Sequence, residues 1–158
     1  MKRIPNTFWK MKMIGWIALA ITIAILAAIA WRVDDWSRDW TQNSARLSPE
    51  SDNRLLQPLQ MGVSVDEADR RIRDWVDSQT NWNVESVHND DSNRTMHLTR
   101  TTPLFRFVDD VHVSIVPDPD QSGCRIDATS QSRVGKGDLG QNPRNLIELT
   151  KGVASEAP

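Results

Sequence analysis

Acidic Asp109 and Asp110, basic Arg133, Lys136 and Arg144, and a run punctuated by Gly135, Gly137 and Gly140 are the residues whose types and spacing best suit chemistry. The run reads Ser130-Gln131-Ser132-Arg133-Val134-Gly135-Lys136-Gly137-Asp138-Leu139-Gly140-Gln141-Asn142 and leads into a helical pattern that Asn142 and Pro143 would open as N-cap and first-turn proline. Glycines let backbone amides approach an anion closely, and a helix N-terminus already favours negative charge. With Arg133, Lys136 and Arg144 adding positive charge, the expected ligand is an anionic small molecule, a lipid headgroup or a protein partner. The competing arrangement uses the glycines only to turn a corner, which Arg133 closes by pairing with Asp109, Asp110 or Asp138. The run is not a nucleotide-binding P-loop, because the lysine and serine that should end the glycine pattern are absent.

Three carboxylates, Asp109, Asp110 and Asp138, would suit a hard cation such as Mg²⁺ or Ca²⁺ if they converged, and would then support metal-assisted hydrolysis. Neighbours on a strand point to opposite faces, so at most one of Asp109 and Asp110 is expected in a given pocket. No metal and no cofactor is assigned. The histidines, His88, His97 and His112, lie in separate segments without close ligand spacing, although His97 and His112 are expected to share an exposed face. Cys124, the single cysteine, alternates with Ile126 and Ala128 and reads as a buried small residue, and no Gly-X-Ser-X-Gly elbow is present.

The elements that must position these groups begin with an anchor. From Met13 to Trp31 the chain is uncharged and apolar, long enough at about 1.5 Å per residue to nearly match a hydrocarbon core of about 30 Å. Trp9 and Trp31 flank the run, and Lys2, Arg3, Lys10 and Lys12 all precede it, which places residues 1–12 in the cytoplasm as a basic tail and the rest outside. The small residues around Ala28-Ile29-Ala30 would equally suit a signal peptidase, but the run exceeds the roughly 7–15 residues usual for a signal's apolar region. Val33, Trp36 and Trp40 could continue the helix along the headgroups. Residues 32–58 otherwise read as a juxtamembrane segment and tether, being poor in apolar residues.

An α+β domain is expected over 59–154, with a short tail at 155–158. Ser64 to Glu67 has the form of a capping box, and Val65, Ala68, Ile72, Trp75 and Val76 make one helical stripe that fades at Ser78, while Asp69, Arg70, Arg73 and Asp74 face water. Alternation then predicts two hairpins, Trp82–His88 with Arg94–Thr101 and Asp110–Val116 with Cys124–Ser130, and a final helix to about Ala154. The outcome is an antiparallel sheet of four or five strands, two packing helices, and one sheet face open to water or a partner. The net charge of -2, with an acidic remainder beyond the anchor, lacks the basic footprint that nucleic acid requires.

The block Phe105-Arg106-Phe107-Val108-Asp109-Asp110-Val111, followed by the Ser130 to Asn142 run with Arg144 and Leu149 beyond, resembles the uncharacterised family called domain of unknown function 1499. The resemblance covers roughly Leu59 to Val153. Gly137 stands where a serine is usual in that family, and Asn145 at a place where a second basic or polar residue varies. The resemblance implies a membrane-associated or exported protein whose two motifs meet in space, and it carries no catalytic role. These features together favour a non-catalytic binding or interaction module over a metal-assisted hydrolase or a purely structural envelope protein.

Overall fold

The computed structural model describes residues 6–32, 41–90, 92–118 and 123–155. Helix α1 (Asn6–Arg32) is apolar around its whole circumference from Met13 to Trp31, and its window Met11–Ala28, with mean hydropathy 2.1, has none of its surface buried. By length and composition it could cross a membrane or serve as a signal sequence. The helical continuation expected at Val33, Trp36 and Trp40 lies outside the described residues, as do Lys2 and Arg3 of the basic tail and residues 156–158.

Beyond it come β1 (Ser44–Arg46), a 3-10 turn (Arg54–Leu56), β2 (Leu59–Met61), α2 (Val65–Ser78), β3 (Trp82–Asp90), β4 (Asn93–Thr101), β5 (Val108–Asp118), β6 (Gly123–Ser132) and α3 (Gln141–Ser155). The sheet is antiparallel in the order β1-β6-β5-β4-β3, with β2 also paired to β6. Among the described residues it therefore has six strands, two short ones joining the four long ones expected. The hairpins arise where the alternation placed them. Val111, Val113 and Ile115 on β5 face Ala128 and Ile126 on β6 and Met96 and Leu98 on β4, all buried beneath α2 and α3.

Helix α2 starts where Ser64 accepts the Glu67 N–H at 3.2 Å. The reciprocal half of the capping box gives way to charge pairing, for the Glu67 carboxylate binds Arg70 and Arg71. Asp69, expected to face water, is buried because Arg94 reaches across from β4 to it at 2.6 Å while Arg73 holds its other oxygen. Trp75 meets Trp82 edge to face at 5.0 Å, and Gly152 of α3 lies directly against its indole, in space that a Cβ would need.

The stretch expected as a tether carries regular structure from Ser44 onward. Leu47 is 3% exposed, its N–H donates to Ala128 O, and β1 pairs with Thr129 to Gln131 of β6. The Thr150 hydroxyl of α3 also donates to Leu55 O at 2.9 Å. One well-buried leucine and these tertiary hydrogen bonds repay the ordering that composition alone argued against.

Candidate functional site

The alternation that buries β5 and β6 on one side lifts Asp110, His112, Thr129 and Arg133 to the other, where neither α2 nor α3 covers them. There Arg133 binds Asp110 through two hydrogen bonds, Nε to Oδ2 at 2.8 Å and Nη2 to Oδ1 at 2.7 Å. On β4, His97 brings its Nε2 to within 2.7 Å of Asp110 Oδ1, and its ring stacks on that of His112, directly opposite on β5, at 4.7 Å and 19°. Glu85 on β3, where the register with β4 shifts, accepts from Thr99 Oγ1 at 2.9 Å and Asn83 Nδ2 at 3.1 Å.

Two carboxylates and one guanidinium meet in this network. The Arg133 guanidinium, aided by His97, overcomes partial burial and holds the Asp110 carboxyl down at about 2, while Asp110 raises Arg133 in return. Hydrogen bonds from Asn83 and Thr99 hold Glu85 below the usual carboxylate range, with smaller contributions from His97 and Arg133. Beside the stacked imidazoles lies a shallow depression of about 540 Å³, edged by Arg46, His88, Thr95, Ser114 and Asp127.

Asp109 occupies the opposite face. It is 1% exposed and accepts from Asn145 Nδ2 at 2.9 Å. Asn145 also donates to Ser130 Oγ, which in turn donates to Asn142 Oδ1, and Asn142 Nδ2 donates to Ser132 Oγ and Asn43 O. Every side chain in this chain of bonds satisfies another, so α3 is locked to β5 and β6 by a buried polar seam.

The helix cap differs from expectation. Asp138, two residues before the cap position at Gly140, supplies the capping carboxylate, accepting the N–H groups of Gly140 at 2.8 Å and Asn142 at 3.0 Å, while Asn142 sits in the first turn with its side chain in the seam. The positive end of α3 therefore already holds a carboxylate. Gly135 (φ 98°) and Gly140 (φ 75°) take left-handed conformations that favour glycine, and Leu139 (φ 50°) shares that region. Arg144 donates to Leu139 O at 3.3 Å, and Lys136 is exposed.

Of the expected site residues, the structure thus brings Arg133 to Asp110, and Asn142 to the seam that contains Asp109. It does not bring Asp109, Asp110 and Asp138 together: the first is in the core, the second on the open face and the third at a helix cap. Among the described residues no group of three or more His, Cys, Asp or Glu could hold a metal ion. Cys124 is buried, which pushes its thiol up, away from nucleophilic use. What the open face can do is present an oriented imidazole pair, a carboxylate and a partly exposed guanidinium to a hydrogen-bonding ligand. Glu85, Thr99 and Ser130 went unpredicted as network members. Extending the Cys124, Ile126, Ala128 alternation by one step would have found Ser130, whereas the bulge at Glu85 leaves no trace in the residue pattern.

The two motifs singled out in the sequence meet here, since Arg133 N–H donates to Val108 O and their side chains form both networks. No curated protein and no solved structure matches the chain. Residues 33–152 match the family described as Protein of unknown function (DUF1499), and the chain belongs to that family.

Proposed function

We propose that this is a single-pass membrane protein, N-terminus in the cytoplasm, that displays its α+β domain outside as a binding module, with the uncovered sheet face as its binding surface. The observation that carries the reading is the preorganised group Glu85, His97, His112, Asp110 and Arg133 on a face that neither α2 nor α3 covers. A simple anion would have to displace the Asp110 carboxylate from Arg133, and the helix end is filled by Asp138. The chemistry therefore favours a protein partner that hydrogen-bonds to the imidazole edges and carboxylates, ahead of a small anion or lipid headgroup at that spot. The anchor rests on the apolar run Met13 to Trp31 of α1 and the orientation on the basic residues before that run.

Two measurements test this. A cysteine at Asn93, on the exposed β3–β4 turn, is expected to react with a membrane-impermeant maleimide in intact cells, since Cys124 is buried and silent. Reaction only after lysis would reverse the topology. A photocrosslinker at Thr129 is expected to give discrete adducts that Arg133→Ala abolishes. Adducts no stronger than from Arg73 on the helix layer, or unchanged by Arg133→Ala, would remove the sheet face from the proposal.

A further inference from the structure

Outside α1, the exposed large hydrophobic residues among those described are Leu104, Phe105, Phe107 and Val134, at 80%, 69%, 49% and 63% exposure. The first three crown the β4–β5 turn and the fourth the β6–α3 loop. These loops are neighbours: Arg133 N–H donates to Val108 O at 3.1 Å, and Phe107 immediately precedes Val108 as Val134 immediately follows Arg133. An apolar cluster confined to one tip calls for something that covers it.

The turn is held in shape. Thr102 N–H donates to Phe107 O at 2.8 Å, Phe107 N–H to Thr102 Oγ1 at 2.9 Å and Arg106 N–H to Thr102 O at 3.1 Å, with Arg106 in the left-handed region at φ 57°. The Phe105 and Phe107 rings stack at 5.6 Å and 20° while remaining exposed. A turn braced in this way presents its rings outward with little further ordering to lose on contact.

Three observations say what covers the tip. The chain arriving from α1 joins the domain at this end, because Ser132 N–H donates to Asn43 O at 2.9 Å and Asn43 Nδ2 donates to Gly135 O at 3.0 Å. The roughly ten residues between Arg32 and Asn43 reach at most about 36 Å when fully extended, so this end lies within that distance of the end of α1. The exposed charges interleaved with the apolar residues are basic, Arg106 and Lys136, while the nearby acids are engaged, Asp110 by Arg133 and Asp138 by the α3 amides. Aromatic and leucine side chains beside basic ones are the composition that settles at a lipid headgroup boundary.

We propose that this tip, Leu104-Phe105-Arg106-Phe107 with Val134 and Lys136, docks on the surface of the bilayer that α1 crosses, holding the domain in a fixed pose with its polar sheet face directed along or away from the membrane. The proposal rests on the anchored reading of α1, and the test separates the two. Full-length chain is placed in bilayer discs of phosphatidylcholine and phosphatidylglycerol, with an environment-sensitive fluorophore on a cysteine at Ile21 in α1, Phe105, Val134 or Asn93 in turn. Asn93 lies at the other end of β4 from the tip, and Val134→Cys reports with both phenylalanines intact.

Brominated lipid is expected to quench the labels at Ile21, Phe105 and Val134 several-fold more than the label at Asn93, and Leu104→Ser with Phe105→Ser should bring Val134 down to the Asn93 level. Quenching at Ile21 with Phe105 and Val134 no different from Asn93 overturns the docking and leaves the anchor standing. No quenching at Ile21 overturns the anchor, and the docking with it. Shielding of the tip that persists in detergent and grows with protein concentration assigns the surface to a second copy of the chain, which also overturns the proposal.

Discussion

Asp110 is where a single side chain decides most about the open face, because Arg133 and His97 both lean on it. Its pKa falls from 3.8 unfolded to about 2 folded, chiefly through the Arg133 hydrogen bonds. A carboxyl lowered on folding contributes stability above its unfolded pKa and loses it as pH falls towards the folded one, so the window lies between about pH 4 and pH 2. Glu67 is lowered into the same range by Arg70 and Arg71 and titrates there too. Urea midpoints measured across that window are therefore expected to fall less steeply for Asp110→Asn than for wild type, and equal slopes would mean that the pair contributes nothing. In the buried seam the cost is of another kind. Asn145→Ala leaves the buried Asp109 without its donor, at about 1–3 kcal/mol, while Ser130 keeps its bond to Asn142, whereas Lys136→Ala on the exposed loop should stay within about 0.5 kcal/mol by the same denaturation assay.

Helices α2 and α3 meet closely where they cross. Gly152 lies against the Trp75 indole, so Gly152→Ala must push two helices apart or turn Trp75 out of its edge contact with Trp82. Overpacking of this sort costs about 1–3 kcal/mol, while Gly62→Ala, with open space around its Cβ position, serves as the control. Similar losses in the two variants would show that the crossing yields easily. This contact was not legible beforehand, because a glycine within a helix pattern carries no mark of what lies opposite. By contrast α2 and the four long strands were legible, since stripes such as Ala68, Ile72 and Trp75 and alternations such as Val111, Val113 and Ile115 report burial directly. The same alternation sent Asp109 and Asp110 to opposite faces. The α3 cap is not legible in the sequence, because Asp138 and Asn142 are both residues that cap, and only tertiary demand for Asn142 in the seam selects Asp138. The burial of Asp69 is hidden for a related reason: it depends on Arg94, distant in sequence.

At the scale of the whole molecule, the question is where the folded unit starts. Composition set its beginning at residue 59, since a three-residue strand such as Ser44–Arg46 is too short to show a period and sits among polar neighbours. The structure ties residues 43–58 to the rest through β1, the buried Leu47, the Ser132 and Asn43 backbone bond and the hydroxyl of Thr150 on Leu55. The window Met11–Ala28 of α1, in contrast, contributes no buried surface. A chain beginning at residue 41 should therefore unfold at the same urea concentration as the full-length protein in detergent. One beginning at residue 59 should lose more than about 3 kcal/mol, from one fully buried leucine at about 1.5–3 kcal/mol and several tertiary hydrogen bonds at about 1 kcal/mol each. It also uncovers the side of β6 that β1 had paired, so an increased tendency to aggregate is expected with the loss. Equal midpoints for the two truncations would return residues 43–58 to the role of a tether and weaken the argument that the domain is held close to the membrane, because the span between Arg32 and the first fixed residue would then more than double.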